Sequence, residues 1–313
     1  MPIPPFTLLL LDAAGHAVLV ADGPTGEILA ELPLPPAGTP VDLAVVPAGG
    51  RALLALATAA DSGALCSISL GHPELESLPV VLPRPERLAV TPDGRIAFIA
   101  DQAGGLYRLD LASLTLVAWG KPQDSSACVG LVAWPQAVCG AWETDGGGVI
   151  AVYSLNGRLD SLCRLGGSPT GLTAAGGRLL VPFAASPFSG EGLVVYDPQS
   201  ETPTVITLRC SRCAAAAPAS PIHAVADADG GSVYLACEDS AGVVVVDLAA
   251  GCASGFIPLG RSVSRLALVP GGRFAVAASN ANADLCLIDL VNRRPLAFTA
   301  SQREILTPLA VVD

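Results

Sequence analysis

Asp42, Arg87, His223 and Arg265 are the residues whose types and spacing could do chemistry in this chain. Each stands two residues after the start of a recurring unit, a place that Gly130, Gly171 and Ala310 take in the other units. A pair of guanidinium groups can steady an anion, an imidazole can move a proton, and a carboxylate can assist either. Asp61, Asp101, Glu143, Glu238, Asp239 and Asn280 fall between the second and third apolar runs of their units and are expected on the same face. Two readings of the set stay open. In one, His223 is a candidate catalytic acid or base, and Asp42, Arg87, His223, Arg265, Glu143, Glu238 and Asp239 bind a ligand, with Gly130 and Gly171 leaving an empty arc opposite the charges. In the other, Arg87 pairs with Asp42 while His223 and Arg265 bond loop carbonyls, so that the groups hold neighbouring units in register.

Cys210 and Cys213 form a Cys-x-x-Cys pair flanked by Arg209 and Arg212, a setting that lowers thiol pKa. They are weak metal candidates, because zinc needs two more ligands and only Cys128, Cys237 or His223 are topologically available. A disulfide or redox pair and inert thiols are the other readings. The count of nine cysteines is odd, and reduced thiols are expected, with Cys66 and Cys286 read as small buried hydrophobes inside apolar runs. No metal site and no cofactor are assigned. The three histidines, His16, His72 and His223, occupy unlike positions in their units, and the chain has no dinucleotide fingerprint, phosphate loop, His-Glu-x-x-His or nucleophile elbow.

The elements that must position these residues come from the repeat. Pro40, Pro85, Pro169, Pro221 and Pro308 each precede an apolar run, as in Leu88–Val90, and Cys128 and Val263 open two further units without the proline. The intervals are 45, 43, 41, 52, 42 and 45 residues, the length of a four-stranded propeller blade. Gly-rich turns follow the first run, for instance Pro92-Asp93-Gly94-Arg95 and Pro270-Gly271-Gly272-Arg273, although the unit from Cys128 lacks such a turn. The third run ends on Asp22, Ser69, Asp110, Ser154, Asp197, Asp247 or Asp289. One short polar side chain per unit at the same turn reads as a turn cap and not as a catalytic set.

The pattern predicts an all-β chain, a seven-bladed β-propeller with four-stranded blades. Blade starts fall near residues 40, 85, 128, 169, 221, 263 and 308, and residues 1–39 complete the last blade, so that 1–313 is read as one domain. A C-terminal strand joining the N-terminal blade would pair both otherwise exposed edges. The segments Pro85–Arg95, Ala97–Ala100 and Leu106–Asp110, echoed at Pro221–Tyr234 and Gly242–Asp247, resemble the YVTN-repeat seven-bladed propellers. These are related to surface-layer-type repeat proteins and more distantly to lactonase propellers. The resemblance implies a WD-repeat-like architecture and mostly binding or scaffold roles, with assorted ligands.

Composition narrows the function. The chain is 51% hydrophobic and 14% charged, with 33 Gly and 27 Pro, as many short buried strands and tight turns require. A net charge of -11 disfavours general binding to nucleic acid or to anionic lipid. No run reaches the roughly 18 apolar residues of a membrane helix, and Met1–Thr7 carries no basic residue ahead of Leu8–Leu11, so a cytoplasmic monomer is expected. The preferred function is a binding or interaction propeller that holds a small ligand, peptide or protein on its top face, around the central channel. The alternative is a lactonase-like hydrolase or isomerase using His223, Arg87, Arg265 and a top-face carboxylate.

Overall fold

A computed structural model describes residues 3–12, 16–46, 50–59, 61–186, 190–208, 220–227, 229–279, 284–300 and 305–312. Cys210, Cys213 and Asn280 lie outside the described residues. Twenty-eight strands form seven four-stranded antiparallel sheets, and no helix occurs among the described residues. In chain order the first three blades are β4 (Thr39–Val46) to β7 (Glu74–Pro83), β8 (Pro85–Val90) to β11 (Thr115–Gly120), and β12 (Ser125–Ala133) to β15 (Leu159–Leu165). The next three are β16 (Thr173–Ala175) to β19 (Thr202–Thr207), β20 (Pro221–Ala226) to β23 (Cys252–Pro258), and β24 (Arg265–Leu268) to β27 (Arg294–Ala300). The seventh is built from both chain ends in the order β28 (Ile305–Val312), β1 (Thr7–Asp12), β2 (Ala17–Asp22), β3 (Ile28–Pro33).

The ring closes because the seventh blade is apolar on both faces. Leu8 and Leu10 of β1 pack with Val276 and Leu285 of the sixth blade, while Leu9 and Leu11 pack with Leu43 and Leu54 of the first. A strand sends alternate side chains to opposite faces, so a blade wedged between two others needs an apolar side chain at successive positions. Seven such inter-blade clusters make the core, and the outermost strands, such as β7, alternate exposed and half-buried residues instead.

The aspartates at the ends of third strands cap their turns. Asp110 accepts the Ser113 N–H at 2.9 Å, Asp197 that of Gln199 at 2.8 Å, and Asp247 that of Ala250 at 2.9 Å. Several first strands start away from the expected places, the closing strand at Ile305, ahead of Pro308, and β24 at Arg265, two residues after Val263. The third blade begins at Ser125, three residues ahead of Cys128, and Pro169 makes only an isolated bridge to Phe183 before the short β16.

Candidate functional site at the channel mouth

Four first strands carry a bulge at one place. Pairing to the second strand skips Val41, Glu86, Val129 and Ile222, so that Asp42 meets Ala55, Arg87 meets Ala100, Gly130 meets Ala141 and His223 meets Ala236. A bulge re-aims the side chains on either side of it. The ring residues therefore leave the regular pleat and reach the next blade.

Their polar atoms are used in that reach. Asp42 is buried; one carboxylate oxygen accepts the Leu43 N–H at 3.0 Å and the other the Leu88 N–H of the second blade at 2.7 Å. Arg87 Nε donates to the Val129 carbonyl of the third blade at 2.9 Å, and a terminal nitrogen donates to the Glu86 carbonyl at 2.8 Å. His223 Nδ1 accepts the Leu266 N–H of the sixth blade at 3.4 Å. In the fourth blade Thr170, one residue before Gly171, donates its hydroxyl to the Pro221 carbonyl at 2.6 Å.

No ion pair within 4 Å joins Asp42 to Arg87 among the described residues. The two are nonetheless electrostatically coupled. Burial raises the Asp42 pKa, against the pull of Arg265, Arg87 and the two N–H donors. Burial lowers that of Arg265, which Asp42 opposes. Burial and the Arg265 charge push His223 well below the ordinary imidazole value. With Nδ1 accepting an amide proton, the neutral ring carries its own proton on Nε2.

The expected empty arc rests on Gly130 and Gly171, and at both the place of a side chain is taken by the next blade. A Cβ on Gly130 would stand 2.5 Å from both Leu172 Cβ and Leu172 N, and one on Gly171 would stand 2.9 Å from the Ile222 carbonyl oxygen. Glycine is there so that the next blade's backbone can come close. The side chain of Ala310 lies outside the described residues.

The other predicted carboxylates scatter around the rim. Asp61 is exposed, and Asp101 accepts the Gly105 N–H at 2.7 Å and the Tyr107 hydroxyl at 2.9 Å within its own loop. Glu238 and Asp239 are exposed in the turn after β21 (Ser232–Cys237); the Ser220 carbonyl accepts the Glu238 N–H, and the Ser220 hydroxyl donates to Asp239. Glu143 comes near Glu86 and helps raise its pKa, after the larger effect of burial. Cys128 and Cys237 are buried between blades with pKa values pushed to about 12 by burial, which leaves them poor thiolates. No group of three His, Cys, Asp or Glu side chains that could hold a metal occurs among the described residues.

Glu86 is the residue that the ring positions did not single out. It lines a cavity of about 240 Å³ between the first and second blades, with Thr39, Val41, Arg84, Pro85 and Gln102. Its Oε2 is buried with no hydrogen-bond partner. The signal was present in the repeat. The place before the ring residue is Val41, Val129, Thr170, Ile222, Ser264 and Leu309 elsewhere, so Glu86 is its one charged occupant.

No protein-family model matches the sequence, and no curated protein sequence resembles it significantly. Solved structures share the fold at low identity. The apo form of AztD from Citrobacter koseri aligns over 99% of this chain and 98% of its own at 12% identity and a TM-score of 0.68. Hydrazine synthase from Kuenenia stuttgartiensis aligns over 95% and 93% at 14% identity and 0.70, and the dihydro-heme d1 dehydrogenase NirN over 97% and 74% at 15% and 0.63. At such identities the likeness shows the fold alone, and the chain stands as a seven-bladed β-propeller.

Proposed function

We propose that this chain is a non-catalytic binding propeller of the YVTN-repeat type, holding a small ligand, a peptide or a protein partner on the top face beside the channel mouth. The observation that carries the reading is Glu86, whose buried, unpartnered carboxylate oxygen belongs to a residue lining a cavity on that face. Buried acceptors are nearly always satisfied, and an orphan beside a cavity suits a ligand that brings a donor, such as an amine, amide or hydroxyl. The ring weakens the hydrolase alternative. His223 is neutral, and its Nδ1 already accepts an amide proton, which removes the lone pair that a general base needs.

Thermal-shift screening with short peptides, amines, amides and sugar lactones tests the proposal, since a ligand that prefers the native state raises its melting temperature. A hit should lose about tenfold in affinity in Glu86→Gln, roughly what one hydrogen bond to a charged group contributes. Hits that bind Glu86→Gln unchanged, or turnover of a lactone that His223→Gln abolishes, would overturn it.

A further inference from the structure

On the opposite face, the turn between the first and second strands carries an arginine in four blades: Arg51, Arg95, Arg178 and Arg273. Arg51 uses its guanidinium as a staple, donating to the Gly94 carbonyl of the next blade at 3.5 Å. The third and fifth blades have no such arginine. The turn of the third reads Trp134-Pro135-Gln136-Ala137, the departure already visible in the sequence. At that junction a cleft of about 760 Å³ opens between the third and fourth blades. Its lining includes Trp134, Gln136, Asp160, Gly177, Gln199 and Glu201. Across from the tryptophan, Gly177 has φ +75 and nothing within 4 Å of where a Cβ would stand.

The charged lining residues are both acidic. Asp160 is taken up by Arg158 at 2.7 Å, whereas no cation stands within 4 Å of the Glu201 carboxylate among the described residues. Neither Arg158 nor Arg178 lines the cleft. An indole, two side-chain amides and a carboxylate with no cation within 4 Å among the described residues thus line the cleft. A planar guanidinium can stack on an aromatic face while its fork of donors engages a carboxylate and amide carbonyls. The volume exceeds one side chain and lies in the range of sites that hold a short segment or a drug-sized ligand. The net charge of -11 adds a long-range attraction for a cation.

We propose that this cleft is a docking site for an arginine side chain presented by a peptide segment of a partner protein. The site is independent of the one beside Glu86.

Calorimetry on the full chain, with acetyl-Gly-Arg-Gly-amide and its citrulline counterpart, tests it. Citrulline keeps the shape and removes the charge. The arginine peptide should bind saturably and about tenfold more tightly than the citrulline peptide. Glu201→Gln, at an exposed position, should reduce arginine binding about fivefold or more without lowering the melting temperature, and Trp134→Phe should weaken it less than Trp134→Ala. Absence of saturation, equal binding of the citrulline peptide, unchanged affinity in Glu201→Gln, or tighter binding of maltose than of the arginine peptide would each overturn the proposal.

Discussion

His223 ties the fifth blade to the sixth only while it is neutral, because a protonated Nδ1 cannot accept the Leu266 N–H and would face the Arg265 charge. The sign of the pH dependence follows. An imidazole held below the unfolded value of about 6.5 binds fewer protons in the native state, so its contribution is complete above that pH. It is lost as the pH falls from about 6.5 toward the depressed native value. Urea unfolding between pH 7.5 and 5 should therefore show wild-type stability dropping more steeply than that of His223→Gln, whose carboxamide accepts the same N–H without titrating. Parallel slopes would mean that His223 is not desolvated. At this scale the sequence was informative about type and less so about use. Asp42, Arg87, His223 and Arg265 stand out by spacing alone, but the partners of the first three are backbone groups of the next blade, which no spacing names. Glu86 carries a weaker signal, being a single charge at a position otherwise apolar or hydroxylic.

Strands were legible because a blade packed on both faces leaves long apolar runs, and because each third strand stops at an Asp or Ser, the aspartates capping the turn. The start of the third blade was less so, since β12 gains its first residues by pairing Ser125 with Thr144, a contact set by the partner strand and not by local propensity. The bulges were not visible at all. They place Gly130 against Leu172, and this makes a sharp expectation for the element. Gly130→Ala should destabilise by about 1–3 kcal/mol, the usual cost of overpacking a closed contact. Gly231→Ala, with nothing within 4 Å of the new methyl, should stay near wild type. Chemical denaturation of the two variants side by side checks this, and equal stabilities would imply that the blades separate at Gly130 at no cost.

In the whole molecule side chains at or beside the ring bond the backbone of the next blade from first to second, second to third, fourth to fifth and fifth to sixth. The ring at the channel mouth thus ties blades together, and the candidate binding cavities lie beside it on one face and between blades on the other. Asp42 is the strongest link. It is buried, accepts two backbone N–H groups, and counters Arg265 and Arg87. Removing it leaves the donors unpaired and two cations facing each other. Equilibrium urea unfolding of Asp42→Ala against wild type at pH 7.5 is the most direct test. A loss of about 3 kcal/mol, in the range for stranding buried partners, is the expected result. A variant with wild-type stability, whose only defect is weaker binding of a top-face ligand, would make the ring a ligand site and contradict the account.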